Sequence, residues 1–437
     1  MTELVRGTPG LVRAVNDRAA LHLLLRQGPL TRPEISRLTG LSKPTASQVL
    51  ARLEHAGLVV GNGLRTGLPG RVPETYRVNP AAAYVAAVDV TPEWIAVRAA
   101  DITGAVLGEA EAPAPAGAGR EELVAALRAA LGRIPTPGPP RRVVVGVQGA
   151  VDPTTGRLAH ASEEDMAAWL FPDVERTLGE ALGLPVRIEN DVNLAAVAER
   201  AHAAAGCPDF VLLWADEGLG AALVLDGRLH RGHFGGAGEV GYLPLPGAPT
   251  AREAGDRYGR HGYQELAGGD AVRELLHAHG VPGADFAEAV AEAVRRAGYG
   301  PAADGVAEPL PAPDGVAEAP PASSGAGAAQ AGTAGDGAGA ARAALGLVAA
   351  RLAAGLASIV TVVDPGLVVL AGRLCAAGGE PLRALVEREL RVLAHSRARI
   401  RLSAVTGNPV LAGALELALA AARDEVFGGP PPVGRSF

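Results

Sequence analysis

Cysteine is almost missing: the 437 residues hold two, Cys207 and Cys375. Two thiols cannot build a disulfide framework or a four-cysteine zinc site, and they suit a reducing compartment. Aromatic residues make up 3% of the chain, and lysine occurs once, at Lys43. No unbroken apolar run approaches bilayer length; the nearest, Leu352 to Val363, is closed by Arg351 and Asp364. The first twelve residues carry Glu3 and Arg6 and lack the apolar stretch of a secretory signal. The 58 glycines and 34 prolines follow no G-X-Y period, which excludes collagen. A cytoplasmic protein without a membrane span is expected, long enough for about two to four domains.

Charge is unevenly placed. The net charge is −7, yet residues 1–80 carry eleven basic against five acidic side chains, leaving +6 there and −13 elsewhere. A basic head on an acidic body suggests a polyanion partner, although a solvated helix face would give the same balance. Pattern separates the two. Leu11 to Arg26 has a helical apolar period, with Leu11, Val15, Ala19, Leu23 and Leu24 on one face, and ends at Gly28-Pro29. Thr31-Arg32-Pro33-Glu34 has the form of a capping box, predicting a short helix that buries Ile35 and Leu38 and stops at Gly40. Ser42 can cap a third helix, Lys43 to His55, with Val49, Leu50 and Leu53 inward. Two short helices joined by Thr39-Gly40-Leu41 predict a helix-turn-helix. Its candidate DNA contacts are Thr31, Arg32, Ser42, Lys43, Thr45, Ser47, Gln48 and Arg52. A β segment through Gly61-Asn62-Gly63, returning at Glu74 to Val78, predicts a wing whose tip carries Arg65 and Arg71. The head is therefore expected at residues 1–79, with double-stranded DNA as partner.

From residue 80 to 437 strand and helix patterns alternate, so the body is expected to be α/β. Strands are predicted at Ala83–Asp89, Ile95–Ala100, Arg142–Val147, Val186–Ile188, Phe210–Trp214, Ala221–Leu225 and Leu367–Leu370. Helices are predicted at Arg120–Leu131, Val174–Leu182, Leu194–Ala205, Leu266–His279, Phe286–Ala297, Leu345–Ile359 and Leu411–Ala421. Residues 299–341, rich in Pro, Ala, Gly and Asp, contain a repeated Asp-Gly-Val-Ala-Glu; a disordered insertion is expected there. Three polar clusters stand out. Glu189-Asn190-Asp191-Val192-Asn193 joins a strand end to a helix start, where α/β sheets bind ligands, although Asp191 or Asn193 could equally cap that helix. Gly235 to Tyr242 delivers Glu239, and Glu265 follows Gly259 to Gln264.

In this order behind a winged helix, these clusters resemble the ROK family of repressors and sugar kinases. Gly70-Arg71 and the segment Val363 to Gly372 extend the likeness over nearly the whole chain. The resemblance implies a two-lobed, actin-like ATPase body with a hexose in its cleft. By that likeness Asn190 and Asp191 would hold the sugar, Asp191 standing at the position of the kinases' catalytic base. Glu239, Tyr242 and Glu265 would complete the effector site.

The departures from the kinase pattern favour a regulator. Where kinases carry Asp-x-Gly-Gly-Thr, this chain reads Asp89-Val90-Thr91-Pro92-Glu93, and proline removes an N–H from the phosphate cradle. The second phosphate loop reads Asp216-Glu217-Gly218-Leu219-Gly220-Ala221-Ala222, and the adenosine-side glycines read Ala371-Gly372-Arg373. Tyr242 replaces the family's zinc-binding histidine, and Asp256, Tyr258 and Tyr263 stand at the cysteine positions, so neither zinc nor ATP is expected as cofactor. Val147-Gln148-Gly149 lacks the usual proline, and His160 to Trp169 lacks a sugar-binding asparagine. The expected function is a sugar-responsive transcriptional repressor that has lost kinase activity, a homodimer or homotetramer on a palindromic site. Two alternatives stay open: a sugar kinase with an accessory DNA-binding head, and a ligand-independent DNA-binding protein.

Overall fold

The computed structural model describes residues 9–64, 74–115, 119–159, 166–202, 204, 206–254, 261–299 and 334–428. Arg65, Arg71, Asp256, Tyr258, the start of the His160 segment, the bulk of the 299–341 insertion and the last nine residues lie outside these. Two compact units result: one comprises Met1–Ala203, Gly232–Gly236 and Val405–Phe437, the other Ala204–Arg231 and Ala237–Ala404.

The first unit opens with α1 (Pro9–Gln27), β1 (Leu30–Thr31), α2 (Arg32–Thr39), α3 (Lys43–His55), β2 (Val59–Leu64) and β3 (Glu74–Val78). β3 pairs antiparallel with both β1 and β2, completing a winged helix. The capping box forms as expected: the Thr31 hydroxyl accepts the Glu34 N–H, and the Glu34 carboxylate accepts the Thr31 N–H. Ser42 caps α3 by accepting the Thr45 N–H. Packing corrects the phase of two helices. In α1 the buried residues are Ala20, Leu21 and Leu24, while Leu11 and Val15 are exposed; in α2 Ile35 is buried and Leu38 is exposed. The run Leu21-His22-Leu23-Leu24-Leu25 is apolar on several faces, so periodicity alone cannot choose among them.

The α/β layer of this unit follows with β4 (Tyr84–Val90), β5 (Trp94–Asp101), β6 (Val106–Pro113), α4 (Arg120–Gly132) and β7 (Arg142–Val147). It continues through β8 (Ala150–Val151), β9 (Leu158–Ala159), α5 (Val174–Leu182), β10 (Val186–Asn190) and α6 (Asp191–His202). The sheet order is β10-β7-β4-β5-β6, with β10, β7 and β4 parallel. β4 is buried at six of its seven positions, as expected of a parallel strand covered on both faces.

The second unit contains β11 (Phe210–Ala215), β12 (Leu219–Leu225), β13 (Arg228–His230), α7 (Ala251–Ala254), α8 (Gly262–Ala267), α9 (Gly269–Ala278) and α10 (Phe286–Arg296). After the insertion come α11 (Ala334–Val363), β14 (Leu367–Ala371), α12 (Arg373–Leu393) and β15 (Arg399–Leu402). The sheet order is β13-β12-β11-β14-β15, with β11, β14 and β15 parallel. One expectation is overturned here. α11 already runs at Ala334, inside the stretch assigned to the insertion, because Ala341, Ala344 and Leu345 are fully buried and packing extends the helix. By length and composition its Gly337–Val363 portion could cross a membrane, although Arg342 and Arg351 interrupt its apolar run. That portion is a core helix: Val348, Ala349, Leu352, Ala353 and Leu356 are fully buried. Its arginines are satisfied by backbone, Arg342 by Ala297 O at 2.8 Å and Arg351 by Leu266 O at 3.0 Å. α12 is not announced by sequence pattern, since Gly378, Gly379 and Pro381 break its apolar period; a kink at Gly379 joins its two parts.

The chain then returns to the first unit with α13 (Pro409–Val426), capped by Asn408. α13 crosses α6 so closely that a Cβ on Gly413 would overlap the Leu194 carbonyl. Its far end reaches the winged helix, where Asp424 pairs with Arg18 at 2.7 Å and the Phe427 ring meets His22 edge-on.

Candidate nucleic-acid interface and effector residues

One face of α3 is exposed, and it carries Lys43, Pro44, Ser47, Gln48 and Ala51. Positions 43, 47 and 51 are one helical turn apart, so these side chains form a single stripe. Ser42 and Thr45 share a hydroxyl–hydroxyl bond of 2.8 Å at the start of that stripe. Three further expected DNA contacts, Thr31, Arg32 and Arg52, are engaged inside the head. Thr31 is buried and bonded to Glu34. Arg32 donates to the Tyr76 hydroxyl, lies over that ring and faces Glu74 at 3.8 Å. Arg52 reaches from α3 to Asp17 of α1 at 2.6 Å.

In the same unit, parallel β7 and β10 deliver Gly149 and Asn190 to one sheet edge. Asn190 caps α6: its Oδ1 accepts the Asn193 N–H at 3.0 Å, and its Nδ2 donates to Gly149 O at 3.2 Å. Capping therefore falls to Asn190 rather than to Asp191 or Asn193. Asp191 Oδ1 accepts the Val192 N–H at 2.8 Å. Buried Glu189 accepts from Asn193 Nδ2 at 2.9 Å, which orients that amide; Asn193 Oδ1 is buried and accepts no hydrogen bond among the described residues. Sequence reading passed over Asn408, whose Nδ2 donates to Asp89 at 2.7 Å while its Oδ1 caps α13. The Asn-Pro pair at a helix start was a legible signal. Burial pushes the Asp89 carboxyl up to about 6, with the Asn408 bond pulling the other way.

In the second unit, Glu239 precedes a single turn at Val240–Tyr242, which packs on α8, the helix carrying Glu265. The Tyr242 ring lies 5.3 Å from that of buried His261. Tyr263 is fully buried; its hydroxyl donates to Leu352 O at 2.7 Å and its ring fills the space beside Gly355. Burial drives its phenol far above the ordinary tyrosine value. A buried, neutral phenol bonded to a helix carbonyl cannot serve as a zinc ligand, so Tyr263 does not fit the family's metal. Among the described residues, no three His, Cys, Asp or Glu side chains come together as a metal site.

The turn between β4 and β5 does not fit a nucleotide phosphate. The Thr91 N–H bonds to Trp94 O, and the N–H groups of Glu93 and Trp94 both bond to the Thr91 hydroxyl. Pro92 has none. Anion cradles need N–H groups aimed outward, and here they are spent within the turn.

Comparison with known proteins follows this division. Residues 85–421 match the ROK family model, and residues 15–63 match a MarR family model. The xylose repressor of Caldicellulosiruptor bescii is 27% identical over 245 residues, 55% of this chain and 61% of the repressor. The chain thus spans about three fifths of the length of such curated relatives. A crystal structure of a ROK family transcriptional regulator, homolog of the E. coli MLC protein, aligns over 95% of this chain and 98% of its own. It has 17% identity and a TM-score of 0.67. A ROK hexokinase from Thermus thermophilus aligns over 78% of this chain and 99% of its own, with 25% identity and a TM-score of 0.57. The fold is a winged-helix domain followed by a ROK-type, actin-like sugar-kinase body, and the chain belongs to the ROK family.

Proposed function

We propose that this chain is a DNA-binding transcriptional repressor that responds to a sugar and does not transfer phosphate. The observation that carries the reading is the pairing of an exposed polar stripe on α3 with a β4–β5 turn whose N–H groups are already used. Lys43, Ser47 and Gln48 would enter the major groove, Gln48 suited to adenine and Lys43 to guanine or phosphate. Ser42 and Thr45 would meet backbone phosphates at the helix N-terminus, and Arg65 and Arg71 would extend the contact from the wing. Thr31, Arg32 and Arg52 then hold the head's shape and act on DNA through it. The head is assigned to residues 1–79, and the body, residues 80–437, to effector binding and self-association. Two heads per oligomer would match a palindromic operator.

The residues proposed for the effector are Asn190, Asp191, Glu239, Tyr242 and Glu265. Asn193 Oδ1 adds a buried acceptor suited to a hydroxyl or an ordered water. A route to the head runs through the first unit: Asp191 opens α6, α6 is locked to α13 at Leu194–Gly413, and the end of α13 holds α1. A sugar that prefers one arrangement of α6 would thereby change the poise of the head, and DNA would oppose it reciprocally.

The test is operator binding by the full chain with and without sugars, beginning with D-xylose because matched relatives are xylose repressors. The reading expects one sugar to lower DNA affinity and Asp191→Ala to abolish that response while leaving sugar-free binding intact. ATP turnover with any hexose would instead establish the kinase alternative. Specific DNA binding unmoved by every sugar, and by Asp191→Ala, would establish the ligand-independent one.

A further inference from the structure

In the second unit, parallel β11 and β14 finish side by side, Trp214 opposite Ala371, and α12 starts at Arg373. The carboxyl edge of parallel strands beside a helix N-terminus is where α/β proteins take anions. Here a carboxylate of the chain itself takes that place. Asp216 Oδ2 accepts the Arg373 N–H at 2.8 Å, and Asp216 Oδ1 accepts Arg373 Nε at 2.8 Å. The same guanidinium reaches Glu217 Oε1 at 3.0 Å, and the Phe286 ring lies beneath it at 4.8 Å. Asp216 Oδ1 also accepts the Glu217 N–H at 2.9 Å, closing the turn on itself. The Asp216 side chain is 15% exposed, so this is no loose surface pair.

The backbone is shaped to admit the contact. Gly372 has φ 90, and a Cβ there would overlap the Ala215 carbonyl, so only glycine lets β14 turn into α12 so close to the end of β11. From the other side, Gln264 grips the turn with both ends of its amide. Its Nε2 donates to Glu217 O at 2.8 Å, and its Oε1 accepts the Leu219 N–H at 2.8 Å. Gln264 is the neighbour of Glu265 on α8, so the turn is tied to the helix that carries a proposed effector residue.

We propose that Asp216 is an intramolecular substitute for a ligand phosphate at the N-terminus of α12, with Arg373 as its clamp. It ties the turn after β11 to the start of α12 without nucleotide. The inference deepens the reading of the chain as a regulator without phosphotransfer and rests on it. A tethered carboxylate competes at a high effective concentration, so free phosphate compounds cannot displace it and the effector response is independent of the nucleotide supply.

The experiment is chemical rescue in the full chain. Thermal unfolding is followed for wild type, Asp216→Ala and the double variant Asp216→Ala/Arg373→Ala, in potassium phosphate and in potassium chloride of equal ionic strength. Asp216→Ala should melt about 3–6 °C lower in chloride. Phosphate should restore at least half of that difference beyond its general salting effect on wild type, and the double variant should show no rescue. If Asp216→Ala does not fold, Asp216→Asn, which keeps an acceptor and loses the charge, is read for the same rescue. An equal loss in both salts, or no loss at all, would overturn the proposal and leave Asp216 a plain ion-pair partner. ATP turnover by wild type would instead sink the regulator reading, whatever the rescue shows.

Discussion

Removing the Phe427 ring should separate the winged helix from its support. Phe427 is 4% exposed and belongs to the cluster that contains Leu21 and Leu24 of α1, with its ring 6.0 Å from that of His22. The last turn of α13 is fixed to the rest of the unit independently: Arg423 donates to Ile102 O and Thr103 O, each at 3.0 Å, and Glu425 pairs with Arg142 at 2.7 Å. Core Phe→Ala substitutions cost about 3–5 kcal/mol; at a helix end that can partly collapse, about 2–4 kcal/mol is expected. The neighbouring Arg18–Asp424 pair is short, but its side chains are 29% and 64% exposed, so Asp424→Ala should cost under about 1 kcal/mol. Hydrogen exchange with peptide resolution reads both. Phe427→Ala should speed exchange in α1 by about 30-fold or more, since 2 kcal/mol is a factor of about 30, while the amides of β4 and β7 change little. The reasoning fails if Asp424→Ala costs as much as Phe427→Ala, or if α1 keeps its protection in the Phe427 variant.

Asp89 supplies a pH test. Its folded value of about 6 lies above the ordinary 3.8, so the folded state keeps a proton that the unfolded chain releases between these values. Stability should therefore fall as pH rises from about 4 to 6, by about 3 kcal/mol, and then level off. Asp89→Asn should flatten that slope in urea titrations, and an unchanged slope would show that another group carries it. Gly413→Ala places a methyl against the Leu194 carbonyl; overpacking of about 1–3 kcal/mol or more is expected, together with a weakened effector response, by denaturation and operator titration. Tyr263→Phe should cost about 1 kcal/mol by losing its bond to Leu352 O, and chelators should leave wild-type stability unchanged; a fall with chelator would restore the metal.

Much of the head was legible because its signals are local. Thr31 with Glu34, Ser42 at the start of α3 and Gly40 after α2 each act within a few residues of themselves. What sequence could not give was the partner of a polar side chain across the fold. Arg52 looks like a phosphate ligand in one dimension, and only packing brings it to Asp17, 35 residues earlier. Asp216 and Glu217 read only as part of an altered phosphate loop, whereas the structure sets Arg373 against them from 157 and 156 residues away. α12 was hidden by its own glycines and proline, and the beginning of α11 by a composition that only burial of Ala341 and Ala344 makes helical. The polar cluster at Asn190 was found by its position after a strand, yet which residue caps α6 was decided by the reach of the Asn190 amide.

The most direct test of the central claim is fluorescence anisotropy of the full chain on the duplex that it selects from a random pool, across a salt series, with Lys43→Ala and Gln48→Ala alongside. The account predicts binding at least about 10³-fold tighter than to a scrambled duplex, weakening steeply with salt. Lys43→Ala should lower the salt slope by about one, and Gln48→Ala should relax discrimination at one base pair by about 1–3 kcal/mol. A chain that enriches no duplex, or binds selected and scrambled DNA alike with neither variant altering the titration, would contradict it.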